Sequence, residues 1–229
     1  MRRSFLLCFA LLLIVPSVAR AQVFRWDASS GVLPNLGCPF WTLVDNSSAS
    51  ASLAGGVLTL ATTVSGANNL GYNDAAPDVV VPNPWIIEWR GRFVSGSTST
   101  PSRSAMMVTP FIGGNVGIGM GISQDRVFIN SADLIVGSSA TVDTDDAFHT
   151  YRLVVTGTAV QVFYDGSPIL TGTMYGISGS PVAKLDWGEI SNLAFGTSEW
   201  LYFEHNGSHA GCVTAARGST WGSLKSIYR

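Results

Sequence analysis

The residues in this chain that could carry chemistry are few and far apart. Paired carboxylates come first, because acid and nucleophile work on a glycosidic bond needs two carboxyls roughly 5–5.5 Å apart. In an extended strand only alternate side chains share a face. Two segments come near such a pair, Asp186-Trp187-Gly188-Glu189 and Glu199-Trp200-Leu201-Tyr202-Phe203-Glu204, and neither has the spacing. Glu88 and Glu204 could instead meet across strands, or stand as two solvated strand-face carboxylates.

Nucleophile and metal patterns are weaker still. Gly176-Ile177-Ser178-Gly179-Ser180 resembles Gly-x-Ser-x-Gly but lacks the final glycine and the strand-turn-helix setting that exposes such a serine. His205 and His209 are four apart in a glycine-containing turn rather than on a helix, and no Cys or His stands at ligand spacing from Cys38 or Cys212, so no metal site is expected. His149 reads as a structural residue at a strand start. The run Gly113-Gly114-Asn115-Val116-Gly117-Ile118-Gly119-Met120-Gly121 offers Gly-x-Gly spacings, but no helix follows to present its N-terminus to a phosphate. Glycines on one face of a strand are read instead as room for a close backbone or a bulky side chain.

A binding role needs less. Sugars are held by aromatic rings against their C–H faces and by planar polar groups against their hydroxyls. Phe163, Gln161, Arg152, Glu88 and Arg90, with His205 alongside, are the glycan-binding candidates that one sheet face would gather, while Trp85, Trp89, Tyr151 and Tyr164 are assigned to packing. Arg90, Arg92 and Arg152 beside His205 are also what a lyase would use to neutralise a uronate.

The elements that must position these residues are strands. Gly, Ser, Thr and Pro recur throughout, which leaves few windows able to sustain a 3.6-residue apolar period. From Trp85 to Val94 one parity carries Trp85, Ile87, Trp89 and Phe93, and the other Glu88, Arg90 and Arg92. That is a strand with one face in a core and one in water. Residues 149–173 predict two successive hairpins: Tyr151, Leu153 and Val155, a turn at Gly157, then Val160, Val162 and Tyr164, and a turn at Asp165-Gly166. Further strands are predicted at Val57–Thr62, Ala105–Ile112, Val116–Ile122, Arg126–Asn130, Ile190–Gly196 and Trp200–His205. Turn signals at such spacing favour a sandwich or jelly roll.

Arg2 and Arg3, an apolar run from Phe5 to Val15 and Ala19-Arg20-Ala21 form the three-part layout of a secretory signal peptide. The run is too short to span a bilayer, which takes about 20 residues. Residues 1–21 are therefore read as a leader and 22–229 as one domain, secreted or periplasmic and not inserted in a membrane. Thirteen basic residues less the leader's three leave 10 against 15 acidic, a net charge of −5. That balance argues against nucleic acid, whose phosphates demand a basic surface. Cys8 leaves with the leader, and the remaining Cys38 and Cys212 are read as one disulfide, with two separate buried thiols as the alternative. The disulfide requires the first and last strands to lie side by side. Asn46-Ser47-Ser48 and Asn206-Gly207-Ser208 match the glycosylation triplet, which matters only in a eukaryotic host.

The segment Phe148-His149-Thr150-Tyr151-Arg152-Leu153-Val154-Val155, a short turn, and Val160-Gln161-Val162-Phe163-Tyr164-Asp165-Gly166 resembles the paired-strand core of concanavalin A-like lectin/glucanase domains, including laminin-G-like jelly rolls. Trp85–Val94 and Phe195–Phe203 resemble neighbouring strands of that superfamily in order and spacing. The resemblance implies an all-β, two-sheet antiparallel jelly-roll sandwich with adjacent terminal strands. It implies no cofactor, apart from a calcium ion that the loop Asp143-Thr144-Asp145-Asp146 could take or leave as an ordinary solvated turn. The superfamily holds lectins, hydrolases, lyases and structural modules, so the fold does not deliver the function. The expected role is non-catalytic, a glycan-binding or extracellular structural module. The alternative is a polysaccharide hydrolase or lyase with residues drawn from separate strands.

Overall fold

The computed structural model describes residues 23–37, 41–45, 49–63, 69–74, 81–98, 101–131, 136–177, 180–190 and 193–207. The leader, Cys38, Cys212, His209, the Asn46 triplet, Ser178-Gly179 and Ser208 lie outside them. In chain order the strands are β1 Phe24–Asp27, β2 Thr42–Asp45, β3 Ala49–Ala54, β4 Val57–Thr62, β5 Leu70–Asp74, β6 Trp85–Thr98, β7 Met106–Gly113, β8 Val116–Gly117 and β9 Met120–Ser123. They continue as β10 Arg126–Asn130, β11 Val136–Thr141, β12 His149–Thr156, β13 Ala159–Tyr164, β14 Ser167–Thr173, β15 Tyr175–Gly176, β16 Ala183–Glu189 and β17 Ala194–His205.

These strands form two antiparallel sheets. The first runs β14-β13-β12-β6-β17-β4-β3 with β1 added on β17, and the second runs β11-β10-β9-β7-β16-β5-β2 with the short pair β8 and β15 beside β7. This is the jelly-roll sandwich that the alternation predicts. β1 pairs with the end of β17, Phe24 opposite His205, so the first and last described strands are neighbours as expected. Asp165 and Gly166 both have positive φ, 46° and 80°, the backbone a two-residue hairpin turn between β13 and β14 requires.

Alternation carries the packing. Trp85, Ile87, Trp89 and Phe93 of β6, Tyr151, Leu153 and Val155 of β12, and Val160 and Val162 of β13 all point into the interlayer. From the second sheet Trp187 meets them: its ring stacks on Phe203 of β17 at 4.7 Å and 8°, and lies 4.9 Å from Trp200. Trp41 stands edge-on to both Trp187 and Phe203. Such ring pairs stabilise by about 0.5–1.5 kcal/mol each beyond the area they bury, so this cluster is the main rivet between the sheets.

The structure corrects three strand boundaries. Ile190–Gly196 is not one strand: β16 precedes it, and β17 runs unbroken from Ala194 through the expected gap before Trp200. β16 escapes a hydrophobic reading because Glu189 takes an inward position beside Leu185 and Trp187. The predicted Val116–Ile122 strand divides at Ile118-Gly119 into β8 and β9. β3 (ASASLA) and β11 (VGSSAT) close opposite edges of the sandwich with small residues, too weakly apolar to register as alternation.

Candidate functional site

The outward face of the second sheet is built from register rows. One row crosses four strands as Thr42, Asn73, Asp186 and Thr109. A second carries Gly188, Met107, Gly121 and Phe128, and a third Lys184, Phe111, Gly117 and Tyr175. Between these rows lies a cleft of about 350 Å³, within the usual range for a small-ligand site. Its walls mix apolar Met107, Phe111, Ile177 and Ile190 with polar Asn69, Arg103, Thr109, Asn130, Tyr175 and Asp186.

The glycine run shapes this face. A Cβ on Gly119 would stand 2.8 Å from Asn130 Nδ2, and one on Gly121 would stand 2.1 Å from Phe128 Cζ. Gly117 likewise makes room for Phe111. Bare backbone at these positions lets side chains of the adjoining strands fold across it, as the sequence reading expected of one-faced glycines, and two of them, Phe111 and Asn130, line the cleft. Asn130 is then held by its Nδ2 donating to Ser102 O at 3.2 Å, and its buried Oδ1 has no hydrogen-bond partner among the described residues. Among the described residues the Asn69 Oδ1 is also buried without a hydrogen-bond partner, and the Tyr175 hydroxyl is buried beside the Gly119 N–H. Buried polar atoms of this kind each cost stability unless something hydrogen-bonds to them.

The charges in the cleft sit at separate places. Burial pushes the Asp186 carboxyl above its ordinary pKa, against hydrogen bonds from Lys184 and Asn73 and with the added repulsion of Asp74. Lys184 Nζ is 2.8 Å from Asp186 Oδ2, and Asn73 Nδ2 donates to Oδ1. Burial raises the Tyr175 hydroxyl, partly offset by the positive charge of Arg103 and the Gly119 N–H. Among the described lining residues Asp186 is the one carboxylate. Glu189, three positions on, points the other way into the core at 1% exposure, so this segment supplies no pair for acid and nucleophile work.

The residues singled out from the sequence lie on the opposite side of the molecule. Glu88, Arg90, Arg152, Gln161 and Phe163 share the outward face of the first sheet, with Arg152 opposite both Glu88 and Phe163. Glu88 accepts from Arg152 Nε at 2.7 Å and from the Tyr202 hydroxyl at 2.9 Å. Arg92 pairs with Glu199 at 2.7 Å. A register shift between Trp200 and Tyr202 adds Leu201 as an extra residue. It brings Glu199, Tyr202 and Glu204 to one face, where strict alternation would separate Glu199 from Glu204. Glu204 is the register partner of Glu88, as the sequence allowed, and it pairs with Arg25, whose guanidinium also lies 3.8 Å over the Tyr202 ring. His205 does not join this group. It is 1% exposed, stacked on Phe24 at 5.9 Å and edge-on to Trp41 and Trp85, because its parity in β17 points it inward.

The acidic loop after β11 is held by its own contacts. Thr144 Oγ1 donates to Ser123 O at 2.6 Å, the Tyr164 hydroxyl donates to Asp143 O, and Asp146 binds His149 Nε2 at 2.7 Å. His149 Nδ1 meets Asp165 Oδ2 at 2.8 Å and its ring stacks on Tyr164, a clamp that fixes the start of β12. Among the described residues no group of three or more His, Cys, Asp and Glu is arranged to hold a metal, and no helix is long and apolar enough to cross a membrane.

No protein-family model matches the sequence, and a comparison with curated proteins finds no match. Solved structures do match the fold. A β-glucanase of Bacillus licheniformis aligns over 80% of this chain and 97% of its own, at 11% identity and a TM-score of 0.51. The Crh5 transglycosylase in its apo form aligns over 80% and 83%, at 12% identity and a TM-score of 0.52. A protein of unknown function, SO2946 from Shewanella oneidensis MR-1, aligns over 80% and 84%, at 12% identity and 0.51. At such identities the likeness is one of fold.

Proposed function

We propose that this chain, which has the concanavalin A-like jelly-roll fold, is an exported glycan-binding module that holds its ligand in the cleft of the second sheet without catalysis. The observation that carries the reading is the pair of buried acceptors without a partner among the described residues, Asn69 Oδ1 and Asn130 Oδ1, which with the buried Tyr175 hydroxyl line a cleft that also has apolar walls. A sugar brings both counterparts: hydroxyls for the polar atoms and C–H faces for Phe111 and Met107. These contacts need no metal. The leader-like N-terminus supports export, and the fold shared with glycan-acting proteins supports a glycan as partner.

A glycan array followed by titration of the best ligand tests this. Asn130→Ala and Tyr175→Phe should each weaken binding about three- to tenfold, the scale of one neutral hydrogen bond. Phe163→Ala and Arg152→Ala, on the other sheet, should leave it unchanged. The reverse pattern would move the site to the first sheet. One observation favours a second reading there: Glu88 and Glu204 face each other across β6 and β17, which gives a hydrolase two carboxyls on one surface. Release of reducing ends from polysaccharides, abolished by Glu88→Gln in a folded protein, would establish that reading instead.

A further inference from the structure

Resting on the cleft reading, we infer that the bound glycan is acidic, and that Arg103 recognises a carboxylate or sulfate on the sugar. Arg103 lines the cleft half-buried, and the bond its guanidinium makes is to the neighbouring Ser102 carbonyl, at 3.3 Å. Among the described residues no carboxylate lies within salt-bridge distance of it. The other cations on this face are differently placed. Lys184 is matched by Asp186. Arg126 donates to Ser123 Oγ and Pro101 O and lies 5.1 Å over the Phe128 ring. The carboxylate of the cleft is therefore matched by Lys184, and among the described residues Arg103 has no carboxylate partner.

The chain's acidic residues, 15, outnumber its 13 basic ones and offer many ways to pair an arginine, yet none of the described ones is placed to pair Arg103. A neutral sugar in the cleft would offer the guanidinium hydroxyl acceptors but no opposite charge. An anionic sugar supplies the missing counter-charge, and the planar fork of arginine matches two oxygens of one acid group. Around Arg103 the groups suit a sugar ring rather than a bare ion. Tyr175 lines the same cleft, and Asn130 is tied to the same Ser102 carbonyl that Arg103 contacts. An acid group on Arg103 and ring hydroxyls on Asn130 and Tyr175 would fix both the position and the orientation of one residue of the polymer.

The test uses the processed full-length chain and three probes: trigalacturonate, its carboxyl-reduced neutral trimer, and a sulfated galactan oligosaccharide of similar length. Calorimetric titration at low and at physiological salt should show an acidic probe preferred over the neutral trimer by about tenfold or more, on the scale of a charged hydrogen-bonded pair. The two acidic probes separate carboxylate from sulfate. In Arg103→Gln the preference should fall to about one and the salt dependence should flatten, while Arg103→Lys should restore part of it. If the neutral trimer binds as well as the acidic ones, or if Arg103→Gln keeps the preference, the inference is overturned, and loss of that binding in Asn130→Ala would leave the cleft reading standing. If none of the probes and no glycan on the array binds, both fall together.

Discussion

Replacing Gly121 with alanine puts the packing of the second sheet's glycine run to its hardest test. The added Cβ would stand 2.1 Å from Phe128 Cζ and 2.6 Å from Cε1 and Cε2. Carbon atoms in contact sit about 3.5–4.0 Å apart, so the ring must move by more than an ångström. Phe128 has little room to do so: it is fully buried, faces Gly121 in register from β10, and is capped by the Arg126 guanidinium. Overpacking of this kind costs about 1–3 kcal/mol, and expelling the ring would lose a buried Phe of similar worth, so about 2–3 kcal/mol is expected. Two companion substitutions calibrate the result. Gly119→Ala meets the end of the Asn130 amide at 2.8 Å and, in ordinary contact, Met107 Cε at 3.4 Å; the amide can swing aside at the loss of its bond to Ser102, about 1 kcal/mol. Gly176→Ala meets nothing within 4 Å on ordinary backbone and should stay within about 0.5 kcal/mol of the parent. Urea unfolding followed by tryptophan fluorescence gives the three stabilities, comparable as long as the denaturant slope is unchanged. A Gly121→Ala protein as stable as the parent, or a Gly176→Ala protein as damaged as Gly121→Ala, would refute the claim that these glycines exist to admit their neighbours.

Other outcomes follow from the same geometry. Trp187→Ala should cost about 3–5 kcal/mol by opening a cavity where the sheets meet, readable in the same unfolding assay. His149 is held above its ordinary pKa: partial burial opposes its charge, but hydrogen bonds and charges from Asp165 and Asp146 outweigh that. Its share of stability is complete below the unfolded value of about 6.5 and is lost as pH rises through the folded pKa. The depressed Asp165, by contrast, contributes above about 3.9 and its share is lost as pH falls through its own folded pKa. His149→Gln should therefore flatten the decline in stability as pH rises above about 6.5, seen in urea midpoints measured from pH 5 to 9. For Cys38 and Cys212, thiol titration of the denatured, unreduced protein should find no free thiol, and reduction should lower stability by up to roughly 5 kcal/mol.

The sequence by itself determined the strands whose two faces differ most. In β6, β12 and β13 one parity is almost wholly apolar and the other holds most of the polar and charged residues, and Asp165-Gly166 suits a tight hairpin turn, so local chemistry was enough to place the hairpins, the buried tryptophans and the sandwich. It also marked the glycine run as a place where side chains cross bare backbone. What it could not reach was which residues would stand together. His205 was expected outside and lies inside, because register shifts in β17 set its parity, and a bulge leaves no trace in composition. The cleft was missed altogether. Asn69, Arg103, Asn130, Tyr175 and Asp186 come from separate strands and loops across more than a hundred residues of chain, and are neighbours only through the order β10-β9-β7-β16-β5. One local signal was available: polar Asn130 and Asp186 on strands otherwise rich in apolar and aromatic residues, each calling for a partner. Parity is a property of a strand and can be read along it, whereas a binding site is a property of strand order, which forms only when distant segments pair.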